Sequence, residues 1–340
     1  MDTPEADQHE EELYEHYKFI ADPNQEQVRI DKFLLGKMPN TSRNKIQIAA
    51  KNGNVLVNKE VVKQNYKVKP HDEISIVLPY PVREFELVAE DLPLDICYED
   101  DELLVINKSA PMVVHPGHGN YTGTLVNGLV YHFDNLPQKP NDFNGRPGLV
   151  HRLDKNTTGI MVVAKTENAL TKLAKQFFDR TTSRRYWALV WGDVKEDGTI
   201  EGHLGRSLKN RKIMSVFPDG EFGKHAVTHY KVLKSYGLVT LVECKLETGR
   251  THQIRAHMKY IGHPLFNDPE YGGDQLLKGV NHTKYAQFIK NCFSLLPGQA
   301  LHAKQLGFTH PKSKEEMQFD SELPDGFREV LKKWDSYTLV

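Results

Sequence analysis

Cysteine is nearly absent. The chain has three in 340 residues, Cys97, Cys244 and Cys292, odd in number and too far apart for a Cys-x-x-Cys pair. This excludes a disulfide framework and a zinc knuckle, and it fits a reduced, cytoplasmic protein. Long apolar runs are missing too. No stretch reaches the ~18 residues that cross a bilayer, and the acidic N-terminus lacks the apolar segment of a signal peptide. No Gly-x-Gly-x-x-Gly follows a strand, and the phosphate loop ending in Gly-Lys-Ser/Thr and the Gly-x-Ser-x-Gly elbow are absent. Dinucleotide, ATP and nucleophile-elbow chemistry therefore have no support, and no cofactor is called for. Net charge is small as well, −1 from 44 Lys and Arg against 45 Asp and Glu.

The charges that are present are segregated. Residues 1–16 carry seven acids and no Lys or Arg, whereas residues 27–70 carry ten bases against Asp31 and Glu60. A local excess of +8 is an electrostatic footprint for a polyanion, masked in the total by the acidic tail. Residues 1–25 read as a disordered acidic tail, residues 26–80 as a small domain, residues 81–93 between Pro81 and Pro93 as a linker, and residues 94–335 as one large domain.

In the small domain Ile30, Phe33, Leu34 and Leu35 recur at helical spacing. Pro39-Asn40-Thr41-Ser42 breaks and recaps the chain, and Ile46, Ala49 and Ala50 line a second helix. Gly53-Asn54 and Asn58-Lys59 are turns around the strand Val55–Val57, and Ile74–Val77 closes the unit. In the large domain the hairpin 94–99/103–107, the strands 160–164, 186–191, 226–233 and 238–246, and the helices 167–180 and 251–261 follow from alternation and periodicity. Strands succeed one another without regular intervening helices. That pattern predicts an α+β domain on a mixed or antiparallel sheet, with a small N-terminal α/β module.

The most informative segment is His151-Arg152-Leu153-Asp154-Lys155-Asn156-Thr157-Thr158-Gly159. It places a carboxylate between two cations in a polar turn, immediately ahead of the buried run Ile160–Ala164. Cations beside an Asp favour its ionised form, and such a loop suits the mouth of a site. A second cluster is Thr248-Gly249-Arg250-Thr251-His252-Gln253-Ile254-Arg255, a turn leading into a helix. His252 and Arg255, three apart, share a face, and the first N–H groups of the helix could meet a phosphate. A third is Arg184-Arg185-Tyr186, where Tyr186 shares a face with Ala188 and Val190; a core tyrosine is an equally good reading of those residues alone. His252 and His257 are five apart, not the four that puts two metal ligands on one helical face, so a metal site is not supported.

The order His-Arg-Leu-Asp followed by Thr-Thr-Gly resembles the catalytic motif of the RluA-type RNA pseudouridine synthases. The resemblance spans nearly the whole chain beyond residue 25. It implies that Asp154 is the nucleophile, that Arg255 is its counter-ion, and that Tyr186 stacks on the target base and assists proton transfer. Arg152 would enter the RNA stack where the target nucleotide leaves. Lys108 and His115 would line the site, with Arg250 and His252 beside them, while Leu301-His302-Ala303 reads equally well as sheet core. Residues 26–80 resemble the RNA-binding module first named from a small-subunit ribosomal protein. That likeness implies that Arg29, Lys32, Arg43, Lys45 and Lys51 grip the RNA backbone.

The RluD-like layout favours large-subunit ribosomal RNA, free or in a pre-ribosomal particle, with transfer RNA as the alternative. The route of the Asp attack stays open among a base adduct, a ribosyl ester and a glycal. A non-catalytic RNA-binding assembly factor would need the same basic module without Asp154. A metal-dependent hydrolase would lose activity to a chelator. If the acidic tail masks the basic module, deleting residues 1–25 tightens RNA binding.

Overall fold

The computed structural model describes residues 13–38, 41–78, 87–117, 119–133, 136–137, 146–279 and 283–338. It divides into two compact units, Met1–Glu86 and Leu87–Val340.

The first unit contains β1 (Tyr14–Ile20), α1 (Ile30–Lys37), α2 (Arg43–Lys51), β2 (Val55–Val57), β3 (Glu60–Val61) and β4 (Glu73–Leu78). The strands form an antiparallel sheet in the order β1-β4-β2-β3. Ile30, Phe33, Leu34, Ile46 and Ala50 from the helices close on Val55, Val57, Ile74 and Ile76. Ser42 caps α2 by accepting from the Lys45 N–H. Asn58 and Lys59 both take positive φ, the geometry of a two-residue hairpin turn between β2 and β3.

Two expectations are corrected here. Residues 14–20 are not a disordered tail but the edge strand β1, paired with β4 from Tyr14↔Leu78 to Ile20↔Glu73. Tyr17 and Phe19 stack on each other, and Phe19 packs against the core. The surrounding charge hid that alternation from a reading by composition. The rest of the acidic segment, residues 1–12, lies outside the described residues. The stretch 87–93 is not a free linker either. Asn127 Nδ2 donates to the Val88 carbonyl (2.8 Å), Glu90 accepts from the Gly123 N–H, and Leu87 packs in the second unit's core.

The second unit contains β5 (Ile96–Glu99), β6 (Leu103–Lys108), α3 (Leu125–His132), β7 (Thr158–Ala164), α4 (Glu167–Asp179), β8 (Ser183–Trp191), β9 (Gly198–Arg206), β10 (Met214–Phe217), β11 (Lys224–Ser235), β12 (Val239–Leu246), α5 (Gln253–Tyr260), α6 (Thr283–Phe293), β13 (Leu301–Thr309), β14 (Glu316–Asp320) and α7 (Asp325–Thr338). One mixed sheet runs β10-β9-β11-β12-β8-β13-β7-β6-β5, with β14 on β13. Of its described pairings only β13 with β7 is parallel. The α+β class and the mixed sheet are as predicted.

The apolar run of β7 is buried on both faces. Met161 and Val163 pack with Leu125 and Leu129 of α3, and Ile160, Val162 and Ala164 pack with Leu170 and Leu173 of α4. In β8 the same alternation sends Leu189 and Trp191 to Phe327 and Trp334 of α7. It sends Ala188 and Val190, with Tyr186 beside them, to Ile254 and Met258 of α5. The strands β7 and β8 flank β13, where His302 lies opposite Thr158 and Ala303 opposite Tyr186. The sheet thus brings the loop before β7, the start of β8 and the helix α5 to one place.

Candidate active site

The loop from His151 to Thr157 has no regular secondary structure, yet alternate residues fasten it. His151 Nε2 accepts from the Val162 N–H (3.1 Å) and its ring stacks on Phe177 with centroids 4.5 Å apart. Burial, with Arg184 adding to it, pushes the His151 pKa down to about 3, so the ring is neutral and carries its proton on Nδ1. Leu153 is in the core. The Lys155 carbonyl accepts from the Met112 N–H (3.0 Å) and from Lys108 Nζ (3.2 Å). Thr157 is buried and its hydroxyl accepts from Gln299. The intervening side chains of Arg152 and Asp154 line the cavities.

Asp154 meets a cation from the other motif, not from its own. Arg255 Nη1 lies 3.3 Å from Asp154 Oδ2, and His252 Nε2 lies 3.8 Å from Oδ1. Lys155 turns instead to Asn120. Arg255 is almost wholly buried and has two further acidic partners, Asp268 (2.7 and 2.8 Å) and Glu270 (2.6 Å). Burial acts to lower the guanidinium's pKa, but these carboxylates together with Asp154 outweigh it and raise that pKa. Its face also lies 4.9 Å from the centre of the Tyr271 ring. His252 is the left-handed residue ahead of α5 and hydrogen-bonds Tyr271. Burial lowers its pKa, opposed by Asp154.

Two cavities meet at Asp154. One, about 440 Å³, is lined by Arg152, Asp154, Tyr186, Arg250, His252 and Arg255 among others. The second, about 470 Å³, shares Arg152, Asp154, His252 and Arg255 and adds His115 and Asn120. Tyr186 is mostly enclosed, and burial raises its hydroxyl pKa. Both volumes lie in the range of about 300–1,000 Å³ usual for sites that enclose a small ligand. Burial lowers the pKa of His115, whose Nδ1 is held by the Pro116 carbonyl.

Lys108 departs from the expectation. It is buried and lines neither of these cavities; its Nζ donates to the carbonyls of Ser109, Met112 and Lys155. Burial pushes its pKa down to about 7, opposed by Asp154. It fastens the loop and does not line the site, because a strand-end lysine that enters the core finds backbone oxygens there. His302 is sheet core, held by Thr158 and Ser321. The first N–H group of α5, that of Gln253, is used internally, donating to the Arg250 carbonyl, and Gln253 Oε1 in turn accepts from the Arg250 N–H and from the Thr248 hydroxyl. Among the described residues no cluster of His, Cys, Asp and Glu could hold a metal, and no helix is long and apolar enough to cross a membrane.

In the first unit Lys32, Arg43, Lys45 and Lys51 are exposed on or beside α1 and α2. Arg29 and Arg43 are held by the fully buried Asp31, which also accepts from Gln47. Burial acts to raise the Asp31 pKa, but the bonds from Gln47, Arg29 and Arg43 outweigh it and hold it at about 2.

Asp268 and Glu270, which hold Arg255, were missed in the sequence. Only the acid pair in Asn267-Asp268-Pro269-Glu270, soon after a helix bearing Arg255, offered a signal there.

The RNA pseudouridylate synthase family matches residues 102–260, and the S4 domain matches residues 28–74. An uncharacterized RNA pseudouridine synthase of Bacillus subtilis is 44% identical over 92% of this chain and 95% of its own. A ribosomal large subunit pseudouridine synthase D of Neisseria meningitidis is 43% identical over 89% of this chain and 78% of its own. The solved structure of human RNA pseudouridylate synthase domain containing 4 superposes with a TM-score of 0.52 at 27% identity, covering 71% of this chain and 92% of that one.

Proposed function

Because the chain belongs to the RNA pseudouridylate synthase family, we propose that its reaction runs through Asp154 and that its substrate is large-subunit ribosomal RNA. The observation that carries this reading is the Asp154–Arg255 pair, 3.3 Å apart, in the wall shared by two cavities, one of which contains Tyr186. The RNA substrate class rests on the relatives named for the large ribosomal subunit and on the S4 unit.

The uridine leaves its helix to be reached. Arg152, exposed at the rim, fills the space it vacates. Tyr186 stacks on the base, an interaction of roughly 1–3 kcal/mol in single-strand systems. Asp154 attacks, the bond between C1′ and N1 breaks, and the uracil turns. A carbon–carbon bond forms from C5 to C1′, the bond made by Asp154 breaks and its carboxylate is restored, C5 gives up its proton, and N1 gains one, so the product is an isomer and no oxidant or reductant is consumed. Arg255 presents Nη1 to one oxygen of Asp154, leaving Oδ1 toward His252. Lys32, Arg43, Lys45 and Lys51, with Arg29, hold the RNA backbone, and the work is done in the cytoplasm.

Tritium release from RNA labelled at C5 of uridine tests this. Wild type releases label from large-subunit ribosomal transcripts or the corresponding precursor particle, and Asp154→Asn releases none. Release only from transfer RNA transcripts would move the substrate class. No release from any of these, with RNA still bound, would leave an RNA-binding assembly factor.

A further inference from the structure

The 440 Å³ cavity is lined by five arginines, Arg152, Arg180, Arg184, Arg250 and Arg255, and by one carboxylate, Asp154. Arg255 is committed to acids. The other four have no carboxylate within ion-pair distance among the described residues.

Arg184 is the most telling of them. It is 8% exposed, and its polar partner is the Glu247 carbonyl at 3.4 Å. Its buried Nε has no hydrogen-bond partner. Its guanidinium lies 5.7 Å from the Phe177 ring centre, and burial lowers its pKa. A buried cation without a counter-ion is costly unless an anion arrives to pair with it. The fold makes room for it where it stands, since a Cβ on Gly249 would come within 2.6 Å of its Nη1.

At the mouth of the same cavity stands Phe178, 86% exposed, two residues before Arg180. Asp179 between them is taken by Lys175. An aromatic ring left in water on a helix end, beside arginines with no acid, has the composition of a single-strand nucleic-acid platform.

We propose that Arg184, Arg180 and Phe178 form a subsite for the nucleotide next to the target uridine, with its phosphodiester on the two guanidiniums and its base on the Phe178 ring. The subsite rests on the RNA-modifying reading above and adds to it a second recognised nucleotide. A bidentate guanidinium suits a phosphate oxygen pair, and a ring stacks on any base. The subsite therefore contributes grip and register more than base identity.

The test uses full-length Asp154→Asn protein and a large-subunit ribosomal transcript, titrated across about 50–200 mM salt. Adding Arg180→Ala or Arg184→Met lowers the slope of log affinity against log salt, and the two together lower it by about 0.7, for the one phosphate they share. Adding Phe178→Ala weakens binding about 5- to 150-fold at every salt concentration and leaves the slope alone. Loss of folding at the buried Arg184 does not stop the test, because Arg180 and Phe178 are exposed. An unchanged slope in the arginine variants, or unchanged affinity in Phe178→Ala, overturns the subsite, as does a parent protein that binds no RNA. Tritium release by wild type is read separately, so a failed subsite and a failed enzyme reading give different results.

Discussion

Arg255 grips Asp268 with two nitrogens, Nε at 2.7 Å and Nη2 at 2.8 Å, and turns only Nη1 to Asp154, at 3.3 Å. Asp268 has no exposed surface and also accepts from the N–H groups of Glu270 and Tyr271. Its position therefore sets the plane of the guanidinium, and that plane sets where Asp154 finds its cation. Asp268→Asn leaves Arg255 buried with a weaker partner. We expect a stability loss on the order of 3–5 kcal/mol in urea unfolding. We also expect kcat to fall about 100-fold with KM little changed, since a misplaced catalytic group costs rate more than binding. Unchanged kcat would show that Asp154 orients Arg255 without help.

Gly159 follows the Asp154 loop and lies opposite Ala303 in the parallel pairing of β7 with β13. It has φ +111°, and a Cβ there would lie 2.3 Å from the Ala303 carbonyl oxygen and 2.7 Å from its nitrogen. Both contacts are backbone, so no side chain can swing away. Gly159→Ala must push β13 from β7 or change the course of the loop. A melting temperature lowered by several degrees and a strongly reduced turnover are expected. A variant that melts and turns over like wild type would refute the close approach.

These two residues also show what can be read from a sequence and what cannot. The run Ile160–Ala164 and the charged loop before it were legible because burial on two faces and exposed polarity each leave a local pattern. The partnership of Asp154 with Arg255 was legible through motif resemblance alone, since they are 101 residues apart. Asp268 left almost no trace, because a buried ion pair between a helix and a turn has no period. Arg184 was hidden beside Arg185: strand alternation sends Arg185 to Glu243 and Arg184 into the cavity, and two adjacent arginines look alike in a sequence. The strand β9 was missed because Gly198, Gly202 and Gly205 dilute Ile200 and Leu204. Those glycines leave room for Tyr230, Val216 and Phe222, which lie where a Cβ would point.

His257 sits fully buried in α5, and neither ring nitrogen has a hydrogen-bond partner among the described residues. Burial pushes its pKa down to about 4 from 6.5. Between those values the unfolded chain binds a proton that the folded one does not. This residue therefore lowers stability as pH falls from about 6.5, by on the order of 3 kcal/mol once pH is below about 4. His257→Leu removes both the titration and two unpaired nitrogens. Urea midpoints measured from pH 7 to pH 4 should fall less steeply in the variant than in wild type, with no loss at pH 7. Parallel curves would mean that the ring is not the acid-sensitive group.

Asp31 gives a test in which charge and position predict opposite signs. Its carboxylate holds Arg29 and Arg43 at the starts of the two helices of the first unit, and Gln47 in the middle of the second. Asp31→Ala makes the basic segment one charge more positive, and by electrostatics alone it would bind RNA more tightly. If the carboxylate instead fixes the two arginines for phosphate contact, freeing them costs side-chain entropy on binding and affinity falls several-fold. The same carboxylate contributes stability because its folded pKa of about 2 lies below the unfolded value of 3.8. That contribution is present above about pH 4 and is lost as pH falls through about 2. Wild type and variant should therefore differ in stability at pH 7 and converge in acid. Weaker RNA binding together with that convergence supports a positioning role. Tighter binding would make the arginines of this unit plain surface charge, and it would move the RNA-gripping role to Lys32, Lys45 and Lys51.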